Sequence, residues 1–109
     1  MKELTVLLVD DEPLMRLSMV DALEAVGCEV QAASTGTEGL EAIRAKTYGV
    51  VITDLRLPGV DGLTVLQTAK GKELQTEVLV ITAHGSVETA VEAMKLGAFD
   101  YITKPFQMD

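Results

Sequence analysis

Two rhythms of apolar residues alternate along the chain. In the first, branched aliphatic residues stand at nearly every position: Leu4-Thr5-Val6-Leu7-Leu8-Val9, Val50-Val51-Ile52-Thr53 and Val78-Leu79-Val80-Ile81. Short runs of this kind, bounded by polar or turn residues, predict strands buried on both faces. Two weaker runs, Glu29–Ala33 and Phe99–Ile102, are diluted by polar residues and fit the edges of a sheet. In the second rhythm the apolar residues recur at helical spacing. Pro13 suits the first turn of a helix that carries Leu17, Val20 and Leu23 through Ala25 and ends at Gly27. Leu14, Met15 and Met19 widen its apolar face, either as more buried surface or as a docking surface for a partner. Thr35-Gly36-Thr37-Glu38 has capping-box spacing and opens a helix with Leu40 and Ile43 inward. Asp61 can cap a helix from Gly62 that buries Leu63 and Leu66 and ends in Lys70-Gly71-Lys72-Glu73. Ser86 can cap a fourth, with Val87, Ala90, Val91 and Met94 at i, i+3, i+4, i+7, Glu88 near its positive end and Gly97 as a left-handed stop.

Strands alternating with helices imply parallel pairing through right-handed crossovers. The three most apolar strands belong in the middle of the sheet and the two weaker ones at its edges. The order 2-1-3-4-5 satisfies this, which is the flavodoxin-like, doubly wound α/β fold. Its switch point falls between the first and third strands. The 109 residues have room for a single core, so residues 1–109 are read as one domain.

Charge narrows the partners. A net charge of −8 opposes binding to nucleic acid or to an anionic membrane surface. No apolar run approaches the roughly 20 residues of a membrane span, and no secretion signal opens the chain. The single cysteine, Cys28, fits a reducing compartment and a cytoplasmic location.

Candidate chemistry collects where the strands end. The first strand runs into Asp10-Asp11-Glu12, the third into Asp54, the fourth into Thr82, and the fifth into Thr103-Lys104-Pro105. Open α/β sheets bind ligands at this carboxyl edge. Converging carboxylates make a hard, oxygen-only site suited to Mg²⁺ or Mn²⁺ rather than zinc. A carboxylate can itself accept a phosphoryl group, given a divalent cation and a fixed positive charge on the phosphoryl oxygens. Asp54 as nucleophile, Asp10 and Asp11 as metal holders, Lys104 as fixed cation and Thr82 as hydroxyl donor meet that list. No Walker loop, GxGxxG motif or zinc-spaced Cys/His set is present. His84, alone, is read as structural or solvent-exposed.

Asp10-Asp11, Asp54-x-x-x-Pro58-x-x-Asp61-Gly62, Thr82-Ala83 and Lys104-Pro105-Phe106 together resemble the receiver domain of two-component response regulators. Thr82-Ala83-His84-Gly85-Ser86, Ala90-Val91 and Met94 to Tyr101 are similar to the NtrC-like subclass. The resemblance implies that Asp54 takes a phosphoryl group from the phosphohistidine of a histidine kinase. It implies that Asp11, Asp54 and the backbone carbonyl of Arg56 bind Mg²⁺, with Asp10 acting through water. It further implies that Lys104 pairs with Asp54 or its phosphate, that Thr82 and Tyr101 move as a switch, and that the Lys104-Pro105 bond is cis. Such a domain is no enzyme beyond slow self-dephosphorylation. It controls an output domain, in this subclass the ATPase of a transcription activator, and neither that ATPase nor a DNA-binding helix pair is in this sequence.

Two other readings compete. Mg²⁺-dependent phosphatases also use an aspartyl nucleophile, but with a second acid two residues on, where this chain has Arg56. A receiver-like binding module that is never phosphorylated would not need the complete acidic and lysine set. In one respect the chain departs from the family pattern. A fifth helix normally follows Lys-Pro-Phe, whereas here Gln107-Met108-Asp109 follows, so a truncated receiver that self-associates as a homodimer through uncovered apolar surface is expected.

Overall fold

The computed structural model describes residues 4–104. Five strands and four helices alternate: β1 (Thr5–Val9), α1 (Pro13–Ala25), β2 (Glu29–Ala33), α2 (Gly36–Ala45), β3 (Val50–Thr53), α3 (Gly62–Lys72), β4 (Glu77–Thr82), α4 (Val87–Lys95) and β5 (Asp100–Thr103). The strands form one parallel sheet in the expected order β2-β1-β3-β4-β5. The expected remnant of a fifth helix and the Lys104-Pro105 bond lie outside the described residues. No helix among the described residues is long and apolar enough to cross a membrane.

The pleat sends alternate side chains to two cores. Leu7, Val9, Val51, Val78 and Val80 face α2, α3 and α4, where they meet Leu40, Ile43, Val65, Leu66, Ala69 and Ala93. Val6, Leu8, Ile52 and Ile81 face α1 and pack on Met19 with Met15, Val20 and Leu23. Because both faces are covered, β1, β3 and β4 read in sequence as nearly unbroken aliphatic runs.

Helix starts follow the expected chemistry. The Asp61 carboxylate accepts from the Thr64 amide at 2.9 Å, and Ser86 and Thr89 form a reciprocal capping box. Thr35 accepts from the Glu38 amide at 3.0 Å, but the Glu38 carboxylate reaches past Thr35 to the amide and hydroxyl of Ser34, each at 2.8 Å. These Ser34 hydrogen bonds hold the Glu38 carboxyl below the usual glutamate range. Gly97, at φ +102°, supplies the left-handed stop after α4.

Two helices depart from the face their periodicity suggested, α1 at Leu17 alone and α4 more widely. In α1 the inner row is Met15, Met19 and Leu23 with Val20, at i, i+4, i+8, and Leu17 points outward with Leu14. In α4 the expected stripe of Val87, Val91 and Met94 is solvent-exposed, and the inner face is made by Ala93 with Leu96 packed beside it. The small Ala93 side chain is fully buried there, while the larger Val87, Val91 and Met94 stay in solvent. Phe99 also departs from expectation, since it is exposed and β5 begins one residue later.

Candidate functional site: an acidic pocket closed by one lysine

The site is assembled by backbone bonds at the strand exits. As β1 ends, the Asp10 amide donates to the Ala33 carbonyl of β2 at 3.1 Å. As β3 ends, the Asp54 amide donates to the Val9 carbonyl at 2.9 Å. The amide of Lys104, just past β5, donates to the Thr82 carbonyl at 2.8 Å. Each tie fixes a Cα at the same edge of the sheet, and the side chains converge there. Gly62 lets α3 begin against this edge, for a Cβ on it would fall 2.0 Å from the Asp54 carbonyl oxygen.

Lys104 is the hub. Its ammonium lies 3.0 Å from Asp10 Oδ2, 3.0 Å from Glu12 Oε1 and 3.0 Å from Asp54 Oδ2. The Lys104, Asp10 and Asp54 side chains are 5%, 3% and 5% exposed, whereas that of Glu12 is 57% exposed. Burial alone would lower the lysine pKa. The hydrogen bonds it donates to Asp54, Asp10 and Glu12 outweigh it and hold the ammonium well above the ordinary lysine range.

The other carboxylate oxygens are steered by backbone amides. Asp10 Oδ1 accepts from the Glu12 amide at 2.9 Å, and Asp54 Oδ1 from the Arg56 amide at 3.3 Å. Arg16, in the first turn of α1, donates to the Asp10 carbonyl at 2.9 Å and braces the loop.

One ammonium does not balance this many carboxylates. Asp10, Glu12 and Asp54 each offer an oxygen within 4.8 Å of the others, with no sulfur or nitrogen donor among them. That donor set fits a hard dication such as Mg²⁺. Asp11, named from the sequence as a direct metal ligand, is exposed and stands outside this group of three. Glu12, which counted in the sequence only as charge, is inside it. Its signal was positional, since it follows two strand-exit aspartates at the start of a helix.

Thr82 is buried, and its hydroxyl accepts from the His84 amide at 3.0 Å. Tyr101 packs beside the core under α4, with its hydroxyl 2.8 Å from Thr89 Oγ1. Thr89 thus joins the capping box of α4 to β5, a link that sequence reasoning missed. The two candidate switch residues therefore sit on either side of the loop that leads into α4. Beyond Asp54, a cleft of about 450 Å³ opens between Arg56, Asp61, His84 and Thr89.

Comparison with known proteins gives a consistent picture. The chain is 40% identical over 101 residues to the DNA-binding transcriptional regulator NtrC of Escherichia coli K12, an alignment covering 93% of this chain and 22% of that protein. It is 39% identical to the transcriptional regulatory protein FixJ of Bradyrhizobium diazoefficiens, covering 93% of this chain and 49% of that one. It therefore spans between about a fifth and a half of the curated relatives it matches. Among solved structures, a CheY-like response regulator receiver domain from Methanospirillum hungatei superposes with a TM-score of 0.93 at 30% identity, covering 97% of this chain and 85% of that one. The sequence matches the response regulator receiver domain over residues 6–109, and the chain belongs to that family.

Proposed function

We propose that Asp54 accepts a phosphoryl group from the phosphohistidine of a histidine kinase and that the modified domain switches an output domain. The observation that carries this reading is the Lys104 ammonium, 3.0 Å from the Asp54 carboxylate in a pocket of otherwise unbalanced negative charge. An Asp54 oxygen attacks phosphorus, the P–N bond breaks, and its electron pair leaves with the imidazole nitrogen, which is protonated. Lys104 stays beside the acceptor and pairs with a phosphoryl oxygen as charge builds there. The Thr82 hydroxyl, which accepts from the His84 amide, is proposed to donate to another phosphoryl oxygen.

Bound Mg²⁺ would supply the remaining positive charge on the phosphoryl oxygens. Asp11, Asp54 and the Arg56 carbonyl are proposed to hold it directly, and Asp10 through water. Tyr101 is the proposed second switch residue. As in the transcription regulators it resembles, the domain is proposed to act in the cytoplasm on an attached or separate output, such as the ATPase of a transcription activator. It would catalyse nothing beyond slow loss of its own phosphoryl group, and it would self-associate as a homodimer through apolar surface.

Intact mass after incubation with acetyl phosphate and Mg²⁺ tests the reading. One added phosphoryl group, absent in Asp54→Asn and in EDTA, is the expected result. No addition to the unsubstituted chain, or equal addition to Asp54→Asn, would overturn it.

A further inference from the structure

Glu12 stands at the N-cap of α1, yet its side chain makes no capping hydrogen bond to the helix. Its backbone is held on both sides, the amide by Asp10 Oδ1 at 2.9 Å and the carbonyl by the Arg16 amide at 2.9 Å. The carboxylate instead turns away from the helix to meet the Lys104 ammonium, 92 residues along the chain. A glutamate whose carboxylate has left the free amides of its own helix for a distant lysine acts on that lysine.

We propose that Glu12 is a positioning residue for Lys104. It takes one of the three N–H donors of the ammonium, so that Asp10 and Asp54 receive one each and keep their other oxygens available to a divalent cation. This rests on the cation site proposed above.

An ammonium has three N–H donors, and here each goes to a different carboxylate. The Asp10 and Asp54 contacts are buried and the Glu12 contact is half in water. Without the Glu12 charge the third N–H turns to the two buried carboxylates, and the ammonium opposes a dication there more strongly. Glu12 therefore acts through the lysine, and its influence should depend on the lysine being there.

Mg²⁺ titration by calorimetry, with the full chain and no phosphoryl donor, reads this directly. Glu12→Gln keeps the length of the side chain and removes its charge. It is expected to weaken Mg²⁺ binding by at least about threefold. In a Lys104→Met background the same substitution is expected to have a much smaller effect. An equal loss in both backgrounds would overturn the proposal, because Glu12 would then act on the cation itself, and so would the absence of any loss beside Lys104. If the Lys104→Met chain does not fold, Glu12→Asp carries the test. It keeps the charge but shortens the reach, so weakened binding is expected, and unchanged binding would overturn the proposal. No Mg²⁺ binding by the unsubstituted chain would instead overturn the cation site, and this inference with it.

Discussion

The main-chain amide of Lys104 donates to the Thr82 carbonyl, so the residue that carries the site's positive charge is tied to the residue that offers its hydroxyl. One parallel-sheet bond sets the spacing of the two groups, and neither can shift along its strand without the other. A displacement of Thr82 is thereby felt at β5, where Tyr101 packs under α4.

Removing the lysine should make stability depend on divalent cations. Lys104→Met leaves Asp10 and Asp54 buried without the only ammonium that pairs with them among the described residues, a loss of about 3 to 5 kcal/mol by analogy with broken buried pairs. Urea unfolding without divalent ions should show that loss. Millimolar Mg²⁺ should restore much of it in the variant and raise the unsubstituted chain less.

Alkaline titration should report the same contact. The folded lysine holds its proton above the ordinary lysine value of 10.5, so its stabilising share is complete below that pH and fades as pH rises through the folded value. Unfolding free energy of the unsubstituted chain should therefore fall more steeply above pH 10.5 than that of Lys104→Met. Parallel curves would show that the ion pairs contribute nothing.

Gly62→Ala should damage stability and site together. The added methyl would overlap the Asp54 carbonyl, so either α3 or the Asp54 backbone must move. A destabilisation of about 1 to 3 kcal/mol is expected, with slower phosphorylation by acetyl phosphate in the fraction still folded. Thermal melts and intact mass would be measured on the same sample.

The orientation of α4 can be checked by opposite substitutions. Ala93→Leu forces bulk into a fully buried position and should cost about 1 to 3 kcal/mol. Val87→Ser, on the exposed side, should change stability by less than about 0.5 kcal/mol. The reverse ranking in urea denaturation would place the helix the other way round.

Where the sequence was informative, the reason is local. Asp10 and Asp54 end aliphatic runs, and a carboxylate at a buried strand's exit has no packing explanation, so both stood out before any geometry was known. Lys104 was recognisable only jointly with them. The inner face of α4 and the outward turn of Leu17 in α1 were not legible, because several apolar stripes fit one helical period and the choice between them depends on tertiary packing. Leu17 and Val87 satisfied the spacing and still face solvent. Glu12 and Thr89 were missed for a related cause. Whether a polar side chain serves its own helix or a partner on another element is decided by tertiary contacts, which neighbouring residues do not encode.

The lysine's partners lie 50 and 94 residues back along the chain. No local piece of the polypeptide contains the site, and a chain that has paired its early strands but not β5 holds Asp10 and Asp54 with no Lys104 ammonium beside them. On the proposed function, competence to receive a signal would then report that the whole sheet has closed. A half-made or partly unravelled copy would stay silent, and the domain would screen its own integrity before it could be switched.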